Sequence, residues 1–205
     1  FLYFQIEMVN KELKNSLIRK MKINIDTITR ASKELIGNII RTPTIRSQHL
    51  SSEINGEVFL KLENLQYTSS FKVRGAYTSI TRLKEDQKKV GVIAMSAGNH
   101  AQAVAWWAKK ERVNATIVMP EHAPLFKVMK TKSLGADVIL RGRTLNESQT
   151  YVSELANDKK LTLIHPYDDS NVVIGQGTLG LEFMEDIKDL DLLVIPIGGG
   201  GLISG

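Results

Sequence analysis

Short apolar runs, several of them β-branched, recur along this chain and constrain its fold more than any other feature: residues 57–62 (EVFLKL), 91–95 (GVIAM), 115–119 (ATIVM), 136–140 (ADVIL), 161–164 (LTLI) and 191–197 (DLLVIPI). Runs of this length and composition read as buried strands. Between them lie longer stretches with helical character, at 76–84, 101–110, 124–134 and 144–158, the third stopped by Gly135. Strand and helix alternate, so the pattern predicts an α/β architecture with mainly parallel sheets covered by helices. There is no internal repeat and no low-complexity tract beyond one run of glycines.

Charge narrows the partners. The formal net charge is +5, but Lys11, Lys14, Arg19, Lys20 and Lys22 against Glu7 and Glu12 account for +3 of it within the first 22 residues. The remainder is nearly neutral and lacks the interleaved basic and aromatic residues of a nucleic-acid groove, which argues against a nucleic-acid partner. No run approaches the roughly 18 apolar residues of a membrane span. Cysteine is absent; that excludes disulfides, thiolate metal sites and a cysteine nucleophile, and agrees with an intracellular, cytoplasmic protein. No metal site is expected. The opening FLYFQ resembles the remnant of a cleavable tag, so residues 1–20 are read as a tag or leader, with Met8 or Met21 as the natural start.

In sheets of this kind ligands sit beyond the carboxyl ends of the strands, where strand-to-helix loops expose backbone amides. Two loops stand there: Ser96-Ala97-Gly98-Asn99-His100-Ala101-Gln102 and Gly198-Gly199-Gly200-Gly201-Leu202. Four successive glycines cost conformational entropy, but they let backbone N–H groups converge on a bulky anion, and phosphate suits best; a flexible turn is the plain alternative. A P-loop is excluded because no Gly-Lys-Ser/Thr follows, and G-x-G-x-x-G fails at Ile203 or Ser204. The first loop offers free amides, a side-chain amide and an imidazole, a set suited to a carboxylate and a polar ring substituent. Taken alone, His100 is as well explained as a core or helix-surface histidine, and Asn99 as a cap.

A third stretch, SSFKVRGA at 69–76, sets Lys72 where Ser69 and Ser70 could cap a helix, although a helix amino end disfavours cations. That position and desolvation beside Phe71 both favour the neutral amine, a nucleophile and base of the kind that condenses with an aldehyde cofactor; one that also carries a phosphate is pyridoxal phosphate. A lone lysine would otherwise be a snorkelling surface residue.

The motifs SSFKVRGA, SAGNHAQ and GGGGL, in this order and at these intervals, resemble the threonine/serine dehydratases among the fold-type II pyridoxal-phosphate enzymes. VFLKLENLQ, HPYDD at 165–169 and GQGTLGLE at 175–182 add to the likeness, which runs from about Thr42 to Gly205. The resemblance implies two open, mainly parallel sheets flanked by helices. Residues 65–161 would form a small mobile domain, and 21–64 with 162–205 part of a larger cofactor-binding domain. It implies pyridoxal 5'-phosphate as cofactor, Lys72 as the catalytic residue joined to it, Phe71 beside its ring and Asn99 on its 3'-oxygen. Gly198, Gly199, Gly200, Gly201 and Leu202 would form the phosphate cup. Ser96, Ala97, Gly98, Asn99 and His100 would hold the substrate carboxylate.

The implied reaction is elimination of water from threonine, or serine as a side activity, giving a 2-oxo acid and ammonia. Related serine racemases carry a serine where this chain has Ala97, and alanine cannot deliver a proton, so elimination is favoured. The partner is a small amino acid, and a dimer or tetramer is expected. The likeness also implies a place in amino-acid metabolism, isoleucine biosynthesis among others, and leaves biosynthetic and catabolic forms open. In the family further elements follow the glycine loop, including the partner of the pyridine nitrogen, so the chain is expected to be an inactive piece of a longer enzyme. The rivals are a serine racemase or another enzyme of the same fold type, a nicotinamide-dependent oxidoreductase built on the glycines, which leaves Lys72 and Asn99 unexplained, and a non-catalytic binding fragment.

Overall fold

The computed structural model describes residues 23–205; the leader expected over residues 1–20 lies outside them. Helix α1 (Ile25–Leu35) starts at Asn24, whose side chain accepts from Thr27 N at 3.0 Å while Thr27 Oγ1 accepts from Asn24 N at 3.1 Å, a reciprocal cap. Strands β1 (Thr44–Arg46) and β2 (Phe59–Lys61) pair antiparallel around helix α2 (Gln48–Ile54). A 3-10 turn at Glu63–Leu65 leads toward α3 (Lys72–Thr81) and α4 (Glu85–Val90).

Alternation then sets in as the pattern predicts: β3 (Val92–Met95), α5 (Asn99–Lys110), β4 (Ala115–Met119), α6 (Leu125–Ser133), β5 (Asp137–Leu140), α7 (Leu145–Lys159) and β6 (Thr162–Leu163). The four strands form one parallel sheet in the order β5-β4-β3-β6. Successive residues serve opposite faces. Val92, Ala94, Ile117 and Met119 pack with Ala101, Val104 and Ala108 of α5. Ile93 and Val118 meet Val152 of α7. Burial on both faces explains why the strands read as continuous apolar runs. The α/β class holds, while the second sheet is the antiparallel β1–β2 pair.

Two further departures have physical causes. Residues 191–197 form no strand, and Leu192, Val194 and Ile197 stand 78%, 84% and 66% exposed. An apolar run becomes a strand only where a ladder is offered, and no described strand lies beside this one. Conversely, Ser170–Asp186 is a helix (α8) that the pattern does not predict, because Gly175, Gly177 and Gly180 read as breakers. It begins at Asp169, whose carboxylate accepts from Asn171 N at 2.7 Å and Val172 N at 3.1 Å. Short helix α9 (Gly201–Ser204) follows the glycine loop.

The glycines of α8 have a packing role. A methyl built on Gly175 would lie 2.5 Å from Arg74 O and 2.6 Å from Gly75 Cα; one on Gly75 would lie 2.7 Å from Val172 O. Helices α3 and α8 thus cross at backbone contact, which only residues without Cβ allow. Gly180, one and a half turns on, would meet nothing within 4 Å. Gly175→Ala is therefore expected to destabilise the chain by about 1–3 kcal/mol, the usual overpacking cost. Gly180→Ala is expected to be neutral or to stabilise by up to about 1 kcal/mol. Urea midpoints of the two variants check the contrast.

Candidate active site

Helix α3 opens at Lys72, with Phe71 as its N-cap residue and no side-chain cap. The serines do not cap it. Ser69 takes a left-handed φ of 56°, its N–H donating to Gln66 O at 2.7 Å, and the buried Ser70 hydroxyl has no partner among the described residues. Lys72 Nζ lies 5.4 Å from the centroid of the Phe71 ring and donates to the Pro166 carbonyl at 2.7 Å. Burial lowers its pKa from the ordinary lysine value.

Two residues further on, Arg74 is fully buried, and no functional role for it is legible in the sequence. Its guanidinium donates to Glu63 from Nε at 2.9 Å and Nη2 at 2.7 Å, to Glu182 from Nη1 at 2.7 Å and Nη2 at 2.9 Å, and to Thr178 Oγ1 at 3.2 Å. Lys61 adds an ion pair to Glu182 at 2.9 Å. Burial works to raise the Glu182 pKa, but hydrogen bonds and charge from Arg74 and Lys61 outweigh it and hold the carboxylate below its usual range. This cluster fixes the helix that carries Lys72.

The loop after β3 is held by Ser96, whose N–H continues the ladder to Val118 O at 3.1 Å and whose hydroxyl accepts from Gly98 N at 3.1 Å. The N–H groups of Ala97, Asn99, His100 and Ala101 donate to no described residue, as expected of a loop entering a helix. The Asn99 side chain is exposed and unbonded within the described chain, and Ala97 packs at the edge of the core. His100 turns inward: the residue is 3% exposed, Nε2 lies 2.9 Å from Ile164 O, and Nδ1 has no partner among the described residues. Its imidazole is a core group, so what it offers at the loop is its backbone amide. Burial lowers its pKa to about 4, opposed by the bond to Ile164 and assisted by the charges of Lys72 and His165.

The glycine loop meets the same strip of chain that holds Lys72 and His100. A methyl on Gly199 would lie 2.1 Å from Tyr167 Cδ1, and one on Gly201 would lie 2.9 Å from Tyr167 Cα. Gly200 has a φ of 86° and needs to be glycine for that reason, while Gly198 opens on space. The N–H groups from Gly198 to Leu202 donate to no described acceptor. Residues 164–167 thus bring together Lys72, His100 and the glycine loop. The carbonyls of Ile164 and Pro166 and the ring of Tyr167 do this work; HPYDD signals the strip in the sequence, but not these roles.

A run of unbonded amides suits an anion, and an amine with a lowered pKa suits an aldehyde, so the residues present fit a phosphorylated aldehyde cofactor. A family profile described as "Pyridoxal-phosphate dependent enzyme" matches residues 35–205. The chain belongs to this family. The family resemblance read from the three motifs therefore holds, and the family's cofactor is pyridoxal phosphate. An L-threonine dehydratase catabolic TdcB of Staphylococcus aureus (strain USA300) is 50% identical over 184 residues, covering 89% of this chain and 53% of the relative. The structure of maize serine racemase superposes with a TM-score of 0.85 at 34% identity, over 89% of this chain and 56% of that one. The processed form of threonine deaminase isoform 2 from Solanum lycopersicum gives 0.81 at 36%, over 90% and 52%. The chain spans about half the length of the curated relatives it matches. Among the described residues no helix is long and apolar enough to cross a membrane.

Because His100 is depressed from about 6.5 unfolded to about 4 folded, the unfolded chain binds more protons between those values. Stability therefore rises with pH across that window and falls as pH drops through it, by at most about 3 kcal/mol at 1.36 kcal/mol per unit. Urea midpoints from pH 4 to 7 are expected to show this slope, and His100→Gln, which keeps a donor for Ile164 O, to remove most of it.

Proposed function

We propose that this chain carries the cofactor-attachment and substrate-carboxylate half of a threonine dehydratase, an enzyme that converts L-threonine to 2-oxobutanoate and ammonia, with L-serine as a slower substrate. The carrying observation is the Lys72 amine, buried on the Pro166 carbonyl with its pKa lowered by desolvation. The similarity to a curated threonine dehydratase supports the choice of reaction. That relative is a catabolic enzyme by name, which favours a catabolic rather than a biosynthetic setting.

In this reading the amides of Gly198 to Leu202 would hold the phosphate, Phe71 would flank the ring, Asn99 would bond the 3'-oxygen, and the loop of residues 96–100 would hold the substrate carboxylate through its free amides, those of Ala97, Asn99 and His100. When bound, pyridoxal phosphate supplies the electron sink for the carbanion at the substrate Cα. With that group in place, the neutral Lys72 Nζ would take the substrate Cα proton and later return it to solvent, the β-hydroxyl would leave as water with a proton from a nearby water, and the enamine set free would be hydrolysed to the 2-oxo acid and ammonia. Burial favours the neutral form of the Lys72 amine that this proton transfer requires. Residues 65–161 form the smaller unit in this reading, supported by strands β3, β4 and β5 of the parallel sheet lying between residues 92 and 140, while the fourth strand, β6, falls just past that bound.

A racemase is the second reading, favoured by the likeness to the maize enzyme. It needs a proton donor on the opposite face, and Ala97 has none to give. In an active form of the protein Ala97→Ser is expected to add D-serine formation from L-serine, measured by chiral chromatography; an unchanged product would count against the two-face argument.

Borohydride reduction of the full-length protein in the presence of pyridoxal phosphate, followed by peptide mapping, tests the central assignment. Label is expected on Lys72 and is expected to vanish in Lys72→Ala. Label on another lysine, or none, overturns it.

A further inference from the structure

The short strip that joins the two halves of the site is built unusually tightly. Pro166 O accepts from Lys72 Nζ at 2.7 Å, and Ile164 O lies 2.9 Å from His100 Nε2. His165 Nδ1 accepts from Asp168 N at 2.8 Å, and the His165 and Tyr167 rings meet edge-on with centroids 4.6 Å apart. A methyl on Gly199 would fall 2.1 to 2.4 Å from three carbons of the Tyr167 ring. Gly199 does not have a positive φ, so no backbone need explains glycine there. What requires it is the aromatic ring lying against its Cα.

We propose that Tyr167 is a positioning residue that seats the glycine loop and, through the adjoining Pro166 carbonyl, links the state of that loop to the Lys72 amine. The inference rests on reading Lys72 and the loop as the aldehyde-binding and anion-binding parts of one site. The connection is short: the Pro166 carbonyl belongs to the planar peptide bond that leads directly into Tyr167, so only the backbone φ and the χ1 of Tyr167 lie between the acceptor of Lys72 and the ring against Gly199. A displacement of the loop, by an anion or by added bulk, moves the ring and with it the acceptor of the amine. The hydration of Lys72 changes accordingly.

A double-mutant cycle between Gly199→Ala and Tyr167→Ala tests the link. The readout is the pH profile of Lys72 acetylation by acetic anhydride, followed by peptide mass spectrometry with Lys159 as internal reference. A role confined to packing would not move this profile. In the otherwise native chain Gly199→Ala is expected to push the ring away and admit water to the amine. Lys72 labelling near neutral pH should then fall at least about threefold, within the range of coupled neighbouring sites. In the Tyr167→Ala background the same substitution is expected to have almost no further effect. Tyr167→Phe, which keeps the ring, is expected to retain both the native profile and the full response to Gly199→Ala. An unchanged Lys72 profile in Gly199→Ala, or an equal change in both backgrounds, overturns the proposal. Should Tyr167→Ala not fold by circular dichroism, the Phe pair decides: loss of the response there overturns it as well. A borohydride label away from Lys72 would sink the functional reading without affecting this cycle, whereas an additive cycle would sink the link and leave the label in place.

Discussion

The Arg74 guanidinium is the interaction on which the rest of the described structure depends. Burying a cation is costly unless every donor is met, and here five hydrogen bonds meet the five donors of the group. The acceptors come from the 3-10 turn at Glu63 and from Thr178 and Glu182 on α8, so one side chain ties three segments distant in sequence. Removing any one carboxylate would leave buried charge unbalanced. The clasp also fixes the register in which α3 crosses α8, and that register is the one in which Gly75 and Gly175 touch. With about 100° of turn per residue, Arg74 pointing into the clasp aims Lys72 roughly to the opposite side of the helix, toward residues 164–167.

A second consequence follows from where β6 ends. Its continuation runs past His100, Lys72 and the glycine loop in four residues, using two carbonyls and one ring as contacts. The site is therefore not assembled from loops that happen to meet at a sheet edge. One stretch of backbone, anchored in the parallel sheet at one end and by the Asp169 cap of α8 at the other, sets the spacing of its parts.

Much of this was legible in the sequence where local chemistry decides. The strands at 92–95, 115–119 and 137–140 and the helices between them follow from apolar runs and periodicity, since both faces of the sheet are covered. The helix after Lys72 was legible as a helix, but its start was not: the serines expected to cap it do not, and it runs over 72–81 rather than 76–84. What was hidden depends on contacts between distant segments. The glycines of α8 look like breakers until their partner helix is present, and DLLVIPI looks like a strand although no described neighbour offers it a ladder. His100 carries no sign in the sequence that its ring turns inward to a carbonyl 64 residues away. Arg74 stood inside a motif read for its lysine, and nothing local announces that two glutamates will surround it.

Two cations on one helix, two residues apart, show how the same fold gives opposite chemistry to similar charges. Arg74 has lost its hydration completely, yet carboxylates on both sides hold it charged, and its pKa is driven upward despite burial. Lys72 loses part of its hydration and receives a single neutral carbonyl in return, with no carboxylate partner among the described residues. Desolvation then dominates, and it favours the neutral amine. An arginine at position 72 would stay charged, because a guanidinium does not give up its proton in proteins. A lysine at position 74 could not meet two carboxylates and a hydroxyl in the planar arrangement seen here, since its three donors sit on a point charge. The order lysine, valine, arginine is thus matched to what surrounds each position: two carboxylates keep the arginine charged and hold the helix, and a single neutral carbonyl leaves the lysine amine nearer its neutral form.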